Sequence, residues 1–163
     1  MIEPRYIPNF PVEGVNFIDI SPVLADANSF ETIIKEMCNK VPKDVDYIIS
    51  PESRGYLFGP SIATRLGKGF VPIRKPDKLP NDLVISMDYE KEYGLDTLCL
   101  PKNDNYTGKK FYFVDDILAT GGTFKASKKL IEKCGGNYVG ALVYINISFL
   151  NNEDIEFIRE EKK

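Results

Sequence analysis

The sequence contains no histidine. That absence excludes the commonest general base at neutral pH, the usual Ser-His nucleophile pair and most mixed zinc sites in one step. Catalysis, if there is any, has to lean on carboxylates, cations and backbone amides. Cysteine is scarce. Cys38, Cys99 and Cys134 are widely spaced and odd in number, which suits neither a disulfide framework nor a metal knuckle. Buried structural thiols in a reducing, cytoplasmic setting are expected. No apolar run approaches a membrane span. The opening Met1-Ile2-Glu3-Pro4-Arg5 lacks the basic and then apolar pattern of a secretion signal, so a soluble chain with no membrane contact is expected. Positive charge has no excess either: the net charge is -3. An acidic chain is a poor coat for nucleic acid, whose phosphate backbone needs a basic face. Local basic clusters remain available for small phosphates.

What is present fits one domain over residues 1–163. A chain of this length with 43% hydrophobic and 28% charged residues can bury one sizeable core, and there is no repeat, low-complexity tract or long linker. After a proline-rich lead-in from Ile7 to Pro22, Asn28 with Glu31 resembles a capping box, and Phe30, Ile33, Ile34 and Met37 follow at helical spacing. Pro42 ends that helix. Val45 to Ile49 reads as a buried strand, Tyr56 to Leu66 as a helix closed by Gly67, and Phe70 to Ile73 as a strand. Arg74 to Asp96 is a long polar excursion with only weak alternation around Val84 to Met87, and a loop of that size is a candidate lid. Thr97 to Leu100 returns as a strand. Phe111 to Val114 is a further strand, Phe124 to Cys134 a helix capped by Gly135-Gly136, and Val139 to Ile147 another strand. The order is that of an α/β domain with a mostly parallel twisted sheet flanked by helices, whose ligands gather at the carboxyl ends of the strands.

Ser53-Arg54-Gly55 and Asp115-Asp116 fall at such ends. After the two acids come Ala119-Thr120-Gly121-Gly122-Thr123 and then a helix, so backbone N–H groups and a helix N-terminus aim at one point, where an anion belongs. Gly121 and Gly122 permit close approach, and the Thr120 and Thr123 hydroxyls can donate to phosphate oxygens. Asp115 and Asp116 cannot favour the phosphate itself. They suit the hydroxyls of an attached sugar, directly or through a metal. The Gly-Lys-Ser/Thr ending of a Walker A loop is missing, and the dinucleotide fingerprint G-x-G-x-x-G is absent from this segment. The plain alternatives are a glycine-rich turn with solvated aspartates, or a receiver-type acidic pocket.

The segment Val114 to Thr123 resembles the ribose-phosphate motif of the type I phosphoribosyltransferases. That resemblance implies their fold, with a small N-terminal hood and a flexible catalytic loop. It implies that Asp115 and Asp116 hold the ribose hydroxyls of phosphoribosyl pyrophosphate (PRPP) and that Ala119, Thr120, Gly121, Gly122 and Thr123 hold its 5′-phosphate. Other stretches are similar to the branch of that family that uses adenine: Ile7 to Pro11 with Gly14 and Phe17 to Pro22, Glu52-Ser53-Arg54-Gly55 with Phe58-Gly59-Pro60, Val71 to Pro80, and Tyr89 to Gly94. The resemblance covers roughly residues 6 to 145. It implies AMP formation from adenine in purine salvage, a homodimer, and magnesium that travels on PRPP rather than in a dedicated protein cage.

Transfer of a phosphoribosyl group needs a neutralised leaving pyrophosphate, a stabilised cationic ribose and proton management on the base. Ser53, Arg54, Arg74, Lys75 and Lys78 are the pyrophosphate candidates, Arg54 being counted as catalytic; a solvated basic loop is the plain alternative for residues 74 to 78. Glu92, in the Glu-Tyr-Gly context of the family's mobile loop, is the general acid/base candidate, with Glu90 less favoured, and Tyr93 is a lid aromatic. Phe17 can stack on a purine while the backbone at Asn16 and Ile18 reads its edge. Polar Asn16 stands where an apolar residue is common, and Ile18 where a basic one is common, so hypoxanthine, guanine and xanthine stay open as acceptors. A non-catalytic purine- or PRPP-sensing domain is the rival of another class; such regulators usually carry a DNA-binding helical unit, for which this chain has no spare residues.

Overall fold

The computed structural model describes residues 1–91 and 94–163, without the side chain of Lys91. The chain divides into two compact units, Met1–Glu36 and Met37–Lys163.

In the first unit the proline-rich lead-in is a hairpin rather than an irregular segment. β1 (Arg5–Pro8) pairs antiparallel with β2 (Asn16–Asp19), with Arg5 opposite Asp19 and Pro8 opposite Asn16. The turn is held by Asn9, whose Oδ1 accepts from Gly14 N at 2.9 Å, and Gly14 sits at φ 85° where a side chain is disfavoured. A short helix α1 (Ser21–Ala25) follows, and α2 (Ala27–Lys40) begins in this unit. The cap of α2 falls on Asp26 and not on Asn28: the Asp26 carboxylate accepts from Ser29 N at 2.8 Å, satisfying an orphan N–H of the first turn. Hydrogen bonds from Ser29 hold the Asp26 carboxyl below its ordinary value. Ile18, Ile20, Val23, Ile33 and Ile34 are buried.

The second unit is built on a five-stranded, wholly parallel sheet. In chain order its elements are β3 (Tyr47–Pro51), α3 (Gly59–Leu66) and β4 (Gly69–Ile73), then a hairpin of β5 (Val84–Lys91) and β6 (Gly94–Pro101), then β7 (Lys110–Leu118), α4 (Gly122–Lys133), β8 (Asn137–Ile147) and β9 (Glu156–Glu161). The spatial order is β4-β3-β7-β8-β9. The expected Tyr56–Leu66 helix is split into a 3-10 turn at Arg54–Leu57 and α3, which starts at Gly59-Pro60 and ends as anticipated on Gly67 at φ 64°.

Alternation along the central strands sorts the two faces. Phe111 and Phe113 of β7, with Ala141 and Val143 of β8, pack with Phe124, Leu130 and Ile131 of α4 and with Leu98 and Leu100 of β6. On the other face Phe58, just before α3, stacks on Tyr144 of β8 at 5.8 Å between ring centroids. Gly59 lies so close to β3 that a Cβ there would stand 2.1 Å from Ser50 Oγ. Helices therefore cover both faces, as a parallel sheet requires.

The polar excursion between Arg74 and Asp96 contains β5 and the start of β6, which corrects the expectation of a long loop. β5 and β6 pair antiparallel from Val84 opposite Pro101 to Lys91 opposite Gly94. Ile85, Met87 and Tyr89 pack against the core face that α4 covers, and that tertiary support holds a hairpin whose own alternation is weak.

Candidate active site

Adjacent parallel strands deliver their ends to the same edge of a sheet, and β3 and β7 are adjacent. β7 runs further than its apolar start suggests. It continues through both acids to Leu118, with Asp115 opposite Val143 and Leu118 opposite Asn146. The turn after β3 folds against it. A Cβ on Gly55 would lie 2.8 Å from Pro51 Cδ and 3.0 Å from Asp115 Oδ1, so only glycine lets the turn approach the acids this closely. The Glu52–Ser53 peptide in that turn is cis.

Arg54 uses the approach. Its Nε and Nη2 both donate to Asp116 Oδ2, and the Asp116 side chain is nearly buried while that of Arg54 is 40% exposed. Asp115 Oδ1 accepts from Asp116 N at 2.8 Å. Desolvation, then the neighbouring Asp116 charge, push the Asp115 carboxyl well above the usual carboxylate range.

Beyond Leu118 the chain passes through Ala119 and Thr120 to Gly121, whose φ of 84° places it in the left-handed region, and enters α4 at Gly122. Lys125 N donates to Gly121 O at 2.9 Å and Ser127 Oγ to Thr123 O at 2.7 Å, so the first turn is well formed. The amides at the start of α4 point out of the helix at the edge that carries the acids.

A second cluster lies past β4. Arg74 forms a two-way backbone bridge with Cys99, each N–H donating to the other's carbonyl at 2.8 Å. Glu52 Oε2 accepts from Lys75 N at 3.1 Å and lies 3.6 Å from Arg74 Nε. Lys75 Nζ pairs with Asp96 Oδ2 at 3.2 Å. Asp96 Oδ2 also accepts from the Tyr89 hydroxyl at 3.2 Å, and that hydroxyl lies 3.5 Å from Thr123 Oγ1. A chain of polar contacts thus connects Lys75 to the first turn of α4 through the hairpin. Lys78 is exposed, and its carbonyl accepts from Arg74 Nη1 at 3.5 Å.

The structure therefore brings Arg54, Asp115 and Asp116 together, and Arg74 and Lys75 around Glu52. Ser53 is exposed in the turn. Asn16, Phe17 and Ile18 form most of β2 in the first unit, where Phe17 meets Phe10 edge-on at 5.3 Å and Ile18 is buried. Glu92 and Tyr93 lie outside the described residues. Sequence reasoning assigned no role to Glu52, Tyr89 or Asp96. Glu52 stood beside Ser53 as a signal; Tyr89 and Asp96 had none, because their contacts depend on the hairpin register. Among the described residues no group of three acids or cysteines is placed to hold a metal ion, and no helix is long and apolar enough to cross a membrane.

A parallel sheet with two acids at the end of its central strand, followed by a glycine turn into a helix, defines an α/β protein whose strand-end edge gathers carboxylates, a cation and a helix N-terminus. Residues 23–162 match the family model of the phosphoribosyl transferase domain, and the chain belongs to that family, with the type I fold. It is 47% identical over 146 residues to an adenine phosphoribosyltransferase of Streptococcus uberis, covering 89% of this chain and 84% of that one. Over 149 residues it is also 47% identical to the enzyme of the same name from Streptococcus thermophilus, covering 91% and 86%. Among solved structures, the adenine phosphoribosyltransferase of Thermoanaerobacter pseudethanolicus superposes with a TM-score of 0.89 at 41% identity, over 97% of this chain and 95% of that one. The Saccharomyces cerevisiae enzyme, solved with an imino-altritol bisphosphate and adenine, gives 0.81 at 39% identity over 90% and 86%.

Proposed function

We propose that the chain transfers the phosphoribosyl group of PRPP to adenine, giving AMP and pyrophosphate in purine salvage. The observation that carries this reading is the meeting of Arg54 with Asp116 beside the Ala119–Thr123 turn, a cation and an acid at the edge where a phosphate cradle opens. The names of the similar enzymes supply the acceptor.

In this reading the 5′-phosphate sits on the amides and hydroxyls of Ala119, Thr120, Gly121, Gly122 and Thr123. Asp115 and Asp116 accept from the ribose hydroxyls. Ser53, Arg54, Arg74, Lys75 and Lys78 meet the pyrophosphate. A purine nitrogen attacks the anomeric carbon, the carbon–oxygen bond to pyrophosphate breaks, and its electron pair leaves with pyrophosphate. The purine proton passes to Glu92, and Tyr93 covers the reactants. Fixed dipoles and cations aimed at the leaving group act in the transition state. Phe17 stacks on the base, and the backbone of Asn16 and Ile18 reads its edge. That mode suits β2, an edge strand of a two-stranded sheet, because backbone reading does not depend on the unusual side chains there.

Magnesium, when bound with PRPP, neutralises pyrophosphate oxygens. The donor set fits a metal that arrives with its substrate: Asp115 and Asp116 are hard oxygen ligands, but Asp116 already partners Arg54 and no third acid joins them among the described residues. We further propose that residues 1–163 act as one domain in a cytoplasmic homodimer, by likeness to the family.

The test incubates the protein with magnesium, PRPP and each purine separately, following nucleotide formation. Adenine is expected to be converted to AMP. Turnover of hypoxanthine, guanine or xanthine without turnover of adenine would favour the second reading, which Asn16 and Ile18 motivate. PRPP binding with no turnover of any purine would favour a sensing domain.

A further inference from the structure

The turn that forms the phosphate cradle is held from outside the motif. Its first peptide, between Ala119 and Thr120, follows the last paired residue of β7 and so has no strand partner for its carbonyl. That carbonyl accepts from Asn151 Nδ2 at 2.9 Å. The same amide nitrogen lies 3.0 Å from Asn146 Oδ1 and 3.1 Å from Ile147 O, and Asn151 Oδ1 accepts from Glu153 N at 3.1 Å. Asn146, at the end of β8, is itself buried. One side-chain amide therefore fastens the turn to the end of β8 and to the segment leading to β9.

Peptide geometry makes this contact directional. In a trans peptide the carbonyl and the following N–H point to opposite sides of the chain, and this peptide is not among the cis bonds of the structure. Holding the Ala119 carbonyl toward Asn151 fixes the Thr120 N–H on the opposite side of the turn. Glu153 adds a second point of support. Its Cγ lies 3.4 Å from where a Cβ on Gly121 would stand, and its Oε1 pairs with Lys125 Nζ at 3.1 Å in the first turn of α4.

We propose that Asn151 is a positioning residue for the 5′-phosphate: by holding the Ala119 carbonyl it presents the Thr120 amide N–H to the phosphate. The proposal rests on the reading of residues 119–123 as the 5′-phosphate cradle. Asn151→Ala removes the donor, and Asn151→Asp keeps the size but turns a carboxylate toward three oxygen acceptors.

The experiment measures KM for PRPP and for adenine, turnover, and binding of ribose 5-phosphate, with melting temperature as a folding control. Both variants are expected to raise the PRPP KM and weaken ribose 5-phosphate roughly five- to tenfold, as loss of about one hydrogen bond does, with the adenine KM unchanged. A role limited to folding would lower the melting temperature and the active fraction while leaving both KM values at wild-type levels, and that result overturns the proposal. A second measurement needs no variant. In the wild-type protein the Thr120 amide proton should shift downfield on titration with ribose 5-phosphate; a shift at Gly121, Gly122 and Thr123 that spares Thr120 also overturns it. Wild-type protein that binds no ribose 5-phosphate would overturn the cradle reading and this assignment together.

Discussion

Arg54 and Asp116, 62 positions apart in sequence, are each other's counterions: both guanidinium donors on that side converge on one carboxylate oxygen. The cation assigned to pyrophosphate and an acid assigned to ribose are thus held together before either meets a substrate. Asp116 is the more deeply placed of the two, so the cost of separating them falls mainly on the acid.

Replacing either member separates binding from folding. Asp116→Asn should weaken PRPP binding by roughly tenfold or more, since a sugar hydroxyl loses an ionised acceptor. Arg54→Gln leaves the nearly buried carboxylate without its cation. The partly exposed guanidinium limits that stability loss to about 1–2 kcal/mol, whereas turnover should fall by about 100-fold or more because the leaving group loses its cation. Calorimetric PRPP titration and initial rates check both. Unchanged affinity and rate in Asp116→Asn would remove that residue from the site.

Asp115 carries a stability cost that depends on pH. Its folded-state pKa lies above its unfolded one, so between the two values the native protein holds the extra proton. Stability therefore falls as pH rises through that window and the penalty is complete above it. Asp115→Asn should melt higher than wild type at pH 7, by about 2–4 °C for each kcal/mol recovered. The difference should vanish below about pH 4, the ordinary aspartate range. The same variant should bind PRPP less well. Melting curves across pH, paired with PRPP titrations, test the opposition.

Gly55→Ala probes the close approach of the two strand-end turns. A Cβ set 2.8 Å from Pro51 Cδ and 3.0 Å from Asp115 Oδ1 forces the Arg54 turn away from the acids. We expect a loss of about 1–3 kcal/mol in chemical denaturation and a larger loss in kcat/KM for PRPP. Wild-type kinetics in this variant would mean that the approach does not matter to the chemistry.

For Glu92 the expectation is a divided kinetic effect. Glu92→Gln should lower kcat by about 100-fold or more while leaving KM for both substrates near wild type, the pattern of a group acting in the transition state. A matched rise in KM with kcat preserved would assign it to binding instead.

Much of this was legible in the sequence because it is local. The β3-α3-β4 and β7-α4-β8 order follows from apolar runs and glycine caps, and the phosphate turn from ten consecutive residues, Val114 to Thr123. What escaped depends on distant partners. Val84 to Asp96 reads as part of a long excursion in isolation and becomes, with the strand expected at Thr97 to Leu100, a hairpin because Ile85, Met87 and Tyr89 find the core face covered by α4. β9 is Glu-Phe-Ile-Arg-Glu-Glu, too charged to announce a strand, and it forms on the exposed edge of the sheet beside β8. The cap of α2 falls on Asp26 because the helix starts at Ala27, two residues earlier than a cap at Asn28 implies. The Asn151 contact on Ala119 had no sequence signal at all, since an asparagine in a polar stretch is commonplace.

The pairing of β3 with β7 also closes a long loop of chain. Ile48 meets Tyr112, and Asp46 meets Lys110 across 64 positions, with the whole of α3, β4 and the hairpin in between. Closing so large a loop has to precede any reward from the contact, which slows sheets of this kind relative to local architectures. Asp116 lies on one of these two strands and Arg54 in the turn that follows the other. Until β3 and β7 pair, Arg54 and Asp116 cannot meet, so ligand affinity during refolding should report completion of the sheet's centre.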